Sequence, residues 1–496
     1  MTEGTYPVHP GGVSEWCDQL VRNLPEVAFE VVALSGSGRE PAAYRPPRNV
    51  ATVRRIGLWA RPPRARPLSG FAVERFTGAY LYLLESVLRD GPHAPEWFES
   101  AVRTMHELAR EGSLTAALRS QLAVEVLLDV WSRAPVPGAG TTGPLTLADA
   151  LAVTDLVEHF LRPLQLRAPA TDLVHATANG PSVLVGLTAK WRAGTPVLLS
   201  EHGVYLRERL LAVRREGHGR AVRTVLVRFF HRLTELGYRS ADAVLPVSGF
   251  NGRWAVWGGA PADRVRTLHN GVSPDDLPVL DEEPAEPILT FAGRIDPLKD
   301  LATLVRAVAL VRDQVPAVRL RLFGSVPDGN EDYAEEIRRL VDDLGLAGAV
   351  TFEGPVSPVT RAFAAGQVVV MSSMSEGLPL TVIEAAMSGR PTVVTDAGGM
   401  AEAAGDGGLV VPPGDPAAFA AACVALLTHP ERRKELAAAG RRYALAHFTR
   451  DRFLADVRGL YAEYTAPAAV PATVVRAPAT RDGTWADLPS LAGGRA

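Results

Sequence analysis

The chain has 496 residues, enough at roughly 150 residues per domain for two large domains or three smaller ones. Its 52 basic and 55 acidic residues leave a net charge of −3, so no basic field exists to hold nucleic acid or an anionic membrane by charge alone. Apolar residues at 47% and charged residues at 22% are ordinary globular values, and no apolar run approaches the roughly 18 residues that span a bilayer, which rules out membrane insertion.

The opening Met1-Thr-Glu-Gly-Thr-Tyr-Pro7 lacks a basic stretch followed by an apolar one, so no secretory signal is visible and a cytoplasmic location is expected. Pro10-Gly-Gly-Val13 then precedes an amphipathic helix carrying Trp16, Leu20, Val21 and Leu24; two glycines before a helix let backbone approach a phosphate closely. Strands are predicted at Phe29–Leu34 and Val50–Ile56. A helical block over about 72–165 follows, with three-to-four spacing in Val73–Leu88, Trp97–Glu111, Leu114–Trp131 and Leu147–Leu161 and a Pro/Gly break at Pro135–Pro144. Strands resume at Leu173–Ala176, Val197–Ser200, Val244–Val247 and Val265–Leu268, so residues 1–273 form an α/β lobe with a helical insertion.

Residues 274–287 are acidic and proline-punctuated, cannot form a regular element, and are expected to link two lobes. From 288 to 447 strands (Ile288–Gly293, Val318–Gly324, Val350–Glu353, Val368–Ser372, Thr392–Thr395, Leu409–Val411) alternate with helical patterns such as Leu301–Arg312 and Tyr333–Leu344, the signature of a doubly wound parallel sheet. A helix over 448–465 is expected to pack back on the first lobe, and 466–496, rich in Ala, Pro, Thr and Gly, to be disordered. Cys17 and Cys423 lie far apart, match no metal spacing, and read as core residues.

The strongest local signal is Phe291-Ala-Gly-Arg-Ile-Asp-Pro-Leu-Lys299, which leaves a strand and enters a helix near Asp300. Such a turn presents unpaired N–H groups to an anion, and Arg294 and Lys299 add two cations. Only three lysines occur in the chain (Lys190, Lys299, Lys434), so this one carries weight. A departing diphosphate, on which charge accumulates, needs that arrangement. Either cation alone would read as an exposed residue on a solvated loop.

The second signal is Met374-Ser-Glu-Gly-Leu-Pro-Leu-Thr-Val-Ile-Glu-Ala-Ala-Met387. Glu376 falls on a loop after a strand, Pro379 suits a first helical turn, and Glu384 lies inside the helix. Free N–H groups at Gly377 and Leu378 can meet sugar or anion oxygens, and carboxylates accept from hydroxyls. A dipole-stabilising role is credible for Glu376 and weak for Glu384, which sits among Val382, Ile383, Ala385 and Ala386. In Ser200-Glu-His-Gly-Val-Tyr-Leu-Arg-Glu-Arg209, His202 stands at a strand end as a donor to substrate, although one histidine is usually structural. His269-Asn-Gly271 reads as a turn.

Together these blocks resemble glycosyltransferase family 4, retaining enzymes of the GT-B fold, in the Glu, seven residues, Glu element (Glu376, Glu384) and in Gly-Arg, four residues, Lys (Gly293, Arg294, Lys299). The first lobe is further similar to PelF-type exopolysaccharide glycosyltransferases at Glu3–Pro7, Gly11–Trp16 and Glu201–Arg209. The resemblance covers about 1–465. It implies two Rossmann-like lobes facing a cleft, the first on the acceptor side and the second holding the donor. It implies that Arg294 and Lys299 hold the diphosphate and Glu384 the ribose hydroxyls. Glu376 with the Gly377 and Leu378 amides would hold the transferred sugar, Gly11 and Gly12 the phosphates, and His202 the reacting sugar. The nucleobase would rest near Gly354–Val356. No cofactor or metal is implied, since cations and helix dipoles replace it, and no acidic metal-binding triplet is evident. Family members carry a buried strand ahead of the Gly-Thr-Tyr-Pro segment. The expectation is therefore an unfilled central position in the first sheet and a true start upstream of Met1.

The function expected is transfer of a hexose or N-acetylhexosamine from a nucleoside diphosphate sugar, UDP-linked, to a saccharide or glycoconjugate in exopolysaccharide synthesis. The insertion would offer a surface to a synthesis-complex partner, although such helices pack equally well on their own lobe. A sugar-nucleotide epimerase of the same fold and a nucleotide-binding scaffold of a secretion complex are the alternatives. The Glu376/Glu384 element speaks against the first, and retention of Arg294, Lys299, Glu376 and Glu384 together against the second.

Overall fold

Short β-branched runs bounded by Gly, Pro and Asp form twelve strands in the computed structural model, which describes residues 1–62, 65–133, 145–167 and 170–466. In the second lobe these are β7 (Ile288–Ala292), β8 (Arg319–Phe323), β9 (Val350–Gly354), β10 (Val368–Met371), β11 (Thr392–Thr395) and β12 (Gly408–Val411). They pair in parallel in the order β12-β11-β10-β7-β8-β9. Helices on both faces explain why β7, β10 and β11 are buried at every position rather than alternating. The chain winds outward through β8 and β9 and then returns to the other side of β7. The order reverses between β7 and β10, and the loops leaving those two strands open the crevice where doubly wound sheets bind ligands.

The first lobe holds β1 (Thr2–Glu3), β2 (Phe29–Ser35) and β3 (Val50–Gly57) in one parallel sheet, and β4 (Val174–Ala176), β5 (Val197–Glu201) and β6 (Ala243–Pro246) in another. Met1 is the seam: its amino group donates to the His175 carbonyl at 2.6 Å, and its own carbonyl accepts from the Thr177 N–H at 3.0 Å. Beneath that stub, between β2 and β4, lies a cavity of about 610 Å³ walled by Trp16, Leu20, Phe29, Val31, Val174 and Tyr461.

The insertion consists of helices Phe71–Leu88, Ala94–Arg110, Leu114–Leu118, Gln121–Arg133 and Leu147–Leu161. Phe76, Leu83, Phe98, Met105 and Val157 join Val225, Phe229 and Phe230 of helix Arg220–Ser240 in one core, so the insertion is built onto its own lobe. Each such side chain contributes about 1.5–3 kcal/mol by burial. Two expectations need correction. The helix read over Leu114–Trp131 is broken at Arg119–Ser120, where the Ser120 hydroxyl donates back to the Ala117 carbonyl. Val265–Leu268 is not a strand: it makes one parallel bridge, Val244 to Val265, and lies along β6 through the Arg266 and Leu268 amides. The Pro135–Pro144 break and the tail beyond 466 lie outside the described residues.

Residues 274–287 include a 3-10 turn at Pro274–Asp276, unlike the irregular linker expected, and are strapped to the second lobe. The buried Arg390 guanidinium donates to the Leu280 and Glu282 carbonyls, and Arg433 pairs with Glu283 at 2.6 Å. The chain recrosses between lobes at Phe448–Arg450, beside the first crossing: the Val272 amide donates to the Phe448 carbonyl and the Arg450 amide to the Val272 carbonyl, both at 2.8 Å. Helix Arg450–Thr465 then lies against the first lobe, with Arg458 paired to Glu26 and the Tyr461 hydroxyl 2.9 Å from His175 Nδ1. No helix among the described residues is long and apolar enough to cross a membrane.

Candidate active site in the interlobe cleft

The loop after β7 turns at Gly293, passes a 3-10 turn at Pro297–Lys299, and enters helix Leu301–Gln314 through Asp300, which caps it by accepting from the Thr303 N–H. The loop after β10 carries Ser372–Gly377 into helix Leu380–Met387, with Pro379 just ahead of the first turn. These two loops bring Lys299 and Glu376 into contact at 2.5 Å, both largely buried, and the Ser373 hydroxyl donates to the same carboxylate oxygen at 2.7 Å. The Ser372 hydroxyl donates to the Lys299 carbonyl at 2.8 Å and locks one loop on the other. Arg294 is 67% exposed and meets Asp296 at 3.3 Å, and it lines neither of the cleft cavities described below.

Residue 377 must be glycine, because a Cβ there would overlap the carbonyl oxygen of His202 on the first lobe. That contact sets how closely the lobes approach. His202 stacks edge-on against Trp16 with centroids 4.8 Å apart, and its Nε2 is buried without a partner. Burial pulls its imidazole down to about 4, so the ring is neutral at physiological pH. Leu378 is buried in the second-lobe core, and its side chain anchors the loop.

Glu384 faces a cleft cavity of about 280 Å³, opposite Gly12 and Glu15 at the start of helix Gly12–Asn23. Burial pushes its carboxyl up to about 7, and the Glu15 charge adds to that. Gly11 and Gly12 front open space, with no protein atom where a side chain would stand. Pro358–Thr360 line this cavity and Gly354 and Val356 do not; Val356 packs toward Ala292, Phe323 and Phe363 in the core. The structure therefore gathers Lys299, Glu376, Gly377 and His202 at one end of the cleft and Gly12 and Glu384 at the other. It leaves Gly354 and Val356 outside both cavities.

Sequence reasoning missed three polar residues here. Arg207 reaches across the cleft to the Ser375 hydroxyl. Glu402 of the second lobe accepts from the Gly249 amide at 2.8 Å and meets His269 at 2.6 Å. Burial works to raise the Glu402 carboxyl, and the His269 and Gly249 contacts outweigh it and hold it below the usual range. His269, read as part of a turn, is thus a contact between lobes. Asn251 follows Ser248, whose hydroxyl caps helix Gly249–Trp257, and a capping serine after a strand is the signal that could have marked it. Among the described residues, no group of three or more His, Cys, Asp or Glu is arranged to hold a metal ion.

Residues 1–263 match a family described as Domain of unknown function (DUF3492), and residues 286–429 match Glycosyl transferases group 1. A D-inositol 3-phosphate glycosyltransferase of Nocardia farcinica is 35% identical over 189 residues, covering 37% of this chain and 41% of its own length. The chain thus spans about two fifths of the curated relatives it matches. HepE of Anabaena, solved in complex with UDP, superposes over 93% of this chain and 99% of its own, with TM-score 0.58 and 16% identity. Sucrose-phosphate synthase of Thermosynechococcus elongatus does so over 93% and 98%, with TM-score 0.58 and 19% identity. These are likenesses of fold, the two-lobed GT-B arrangement.

Proposed function

Because the chain belongs to the DUF3492 family through its first lobe and carries a glycosyl transferases group 1 domain in its second, we propose that it is a retaining hexosyltransferase that works without a metal. In this reading it moves a hexose or N-acetylhexosamine from a UDP-sugar to a saccharide or glycoconjugate acceptor in exopolysaccharide synthesis. The observation that carries the reading is the meeting of Lys299 and Glu376 at the switch point of the second sheet, with Arg294 exposed beside them and Glu384 further along the cleft. The names of the D-inositol 3-phosphate glycosyltransferases and the UDP held by HepE support the transferase and nucleotide parts.

The roles follow from the chemistry of the groups. Arg294, Lys299 and the amides of the Gly11–Gly12 turn meet the diphosphate, where negative charge grows as the bond from the sugar anomeric carbon to the phosphate oxygen breaks. Glu384 accepts from the ribose hydroxyls, and Glu376 with the Gly377 and Leu378 amides holds the transferred sugar. The acceptor oxygen attacks from the face the diphosphate leaves, forms the new bond to the anomeric carbon, and passes its proton to a departing phosphate oxygen. The products are the glycoside and the protonated nucleoside diphosphate. The lobes exclude water during this exchange.

The test is nucleotide release from UDP-, GDP- and ADP-sugars in the presence of chelator and a saccharide panel, comparing wild type with Lys299→Ala. Release from one donor class should survive chelation and fall about a hundredfold or more in the variant. Turnover that chelation abolishes, or that Lys299→Ala leaves intact, contradicts the reading.

A further inference from the structure

The turn that carries His202 is tied down more heavily than a loop between a strand and a helix requires. It runs from the end of β5 at Glu201 to the start of helix Tyr205–Arg215, with only His202, Gly203 and Val204 between. With Glu376 and Gly377, these three line a chamber of about 180 Å³ at the donor-sugar end of the cleft. Val204, at the N-cap position, has no side-chain acceptor, and Glu201 serves in its place: its Oε1 accepts from the Tyr205 amide at 3.1 Å. One side chain thus holds both ends of the turn. Its Oε2 accepts from the Tyr238 hydroxyl of helix Arg220–Ser240, and the Glu201 carbonyl accepts from the Val247 amide at 3.2 Å. Tyr205 is anchored again at its far end, where its hydroxyl donates to Glu3 at 2.8 Å. The Tyr205 ring lies so close to Gly180 that a Cβ there would overlap it.

Glu201 is 1% exposed. Burying a carboxyl is costly unless hydrogen bonds offset it, and a serine at the N-cap would start the helix without burying a charge. A serine would not, however, tie the turn to helix Arg220–Ser240 as well. On its other side the turn meets the second lobe, where the His202 carbonyl abuts Gly377. We propose that Glu201 is a positioning residue for sugar transfer: it clamps the His202–Val204 turn so that the His202 imidazole is held toward the transferred sugar, with Tyr205 and Tyr238 steadying the clamp. The inference rests on the transferase reading above and on the place of His202 in it. Glu201 lines neither cleft cavity, so it acts through His202 and not on the substrate. Burial pushes its carboxyl up to about 7 against the pull of the Tyr238 and Tyr205 donors. The amide of glutamine therefore copies a form that this side chain already takes near neutral pH.

The experiment measures kcat and KM for transfer from the donor that supports release, with UDP affinity by calorimetry and melting temperature beside them. Glu201→Ala should lower kcat about tenfold or more, since misplacing a group by an ångström can cost about a hundredfold. Glu201→Gln, which keeps an acceptor for the Tyr205 amide and a partner for the Tyr238 hydroxyl, should restore kcat to within about threefold of wild type. UDP affinity should stay within about threefold in both, because the ribose end of the cleft lies apart from the turn. In a His202→Ala background, Glu201→Ala should cost less than about threefold more, as a residue acting through His202 has nothing left to place. A cluster that only stabilises the fold would lower the melting temperature and leave the kcat of folded enzyme unchanged. Unchanged kcat in folded Glu201→Ala, Glu201→Gln as poor as Glu201→Ala, or full additivity with His202→Ala each overturns the inference and leaves the transferase reading standing. Should Glu201→Ala not fold, Tyr238→Phe, which deletes one hydroxyl, takes its place with a loss of about threefold or more expected, and an unchanged kcat overturns the inference. A wild type that releases nucleotide from no donor with any acceptor overturns both.

Discussion

Glu384 shows how one residue's surroundings set its chemistry. Its carboxyl is pushed up to about 7 because it is buried and because Glu15 faces it across the cleft. Below that pH it is protonated and accepts poorly from ribose hydroxyls; above it the carboxylate accepts fully. UDP affinity should therefore rise with pH from 6 to 8, most steeply around 7, in calorimetric titrations. Glu384→Gln should weaken binding about tenfold and remove that part of the dependence, and Glu15→Gln should move the midpoint lower. Identical pH profiles in wild type and Glu384→Gln would falsify the assignment. The residues that hold Glu384 and Lys299 in place were legible from sequence because strand–loop–helix turns and Glu spacing fix their position locally. The far wall of the cavity that Glu384 faces was not. Val356 turns into the core because Ala292, Phe323 and Phe363 offer it an apolar surface, and no local pattern records which of two neighbouring segments a distant core claims. Arg207 and Glu402 escaped for a related reason: their partners stand on the opposite lobe.

At the scale of elements, β-branched runs in the second lobe were legible almost to the residue, most plainly at β7, β10 and β11, which are buried at every position. The first lobe was less so. Val265–Leu268 has the composition of a strand but pairs at one bridge only, because it lies at the sheet edge where the chain already turns toward the second lobe. The seam at Met1 is the larger departure from a continuous sheet. Two three-stranded sheets meet there over a cavity of about 610 Å³ whose walls mix apolar residues with Glu26, Glu30, Asp172 and Arg458 at its rim, and unfilled apolar volume costs stability. A five-residue β-branched segment fused ahead of Met1 should enter parallel to β2 and β4 and raise the melting temperature by at least ~2 °C. A Ser/Gly segment of the same length should leave it unchanged. Equal melting temperatures for the two fusions would show that the space does not accept a strand.

For the whole molecule, the lobes touch through few polar contacts among the described residues. Glu402 is central among them, joining the first turn of helix Gly249–Trp257 and His269 at once. Partly buried charge-assisted bonds of this kind are worth about 1.5–3 kcal/mol each. Glu402→Ala should therefore favour the open arrangement: the radius of gyration by small-angle scattering should grow, and kcat/KM should drop about tenfold while the second lobe's own fold is intact. No change in either quantity would mean that the contact is incidental. The two crossings between lobes have a further consequence. They run side by side, stapled at Val272 and Phe448–Arg450, so the molecule is hung like a door on two adjacent pins. Twisting and sliding are suppressed, and swinging about a single axis is what remains. A protease cut within 279–286 would leave the halves joined through the second pin, still able to swing and shut.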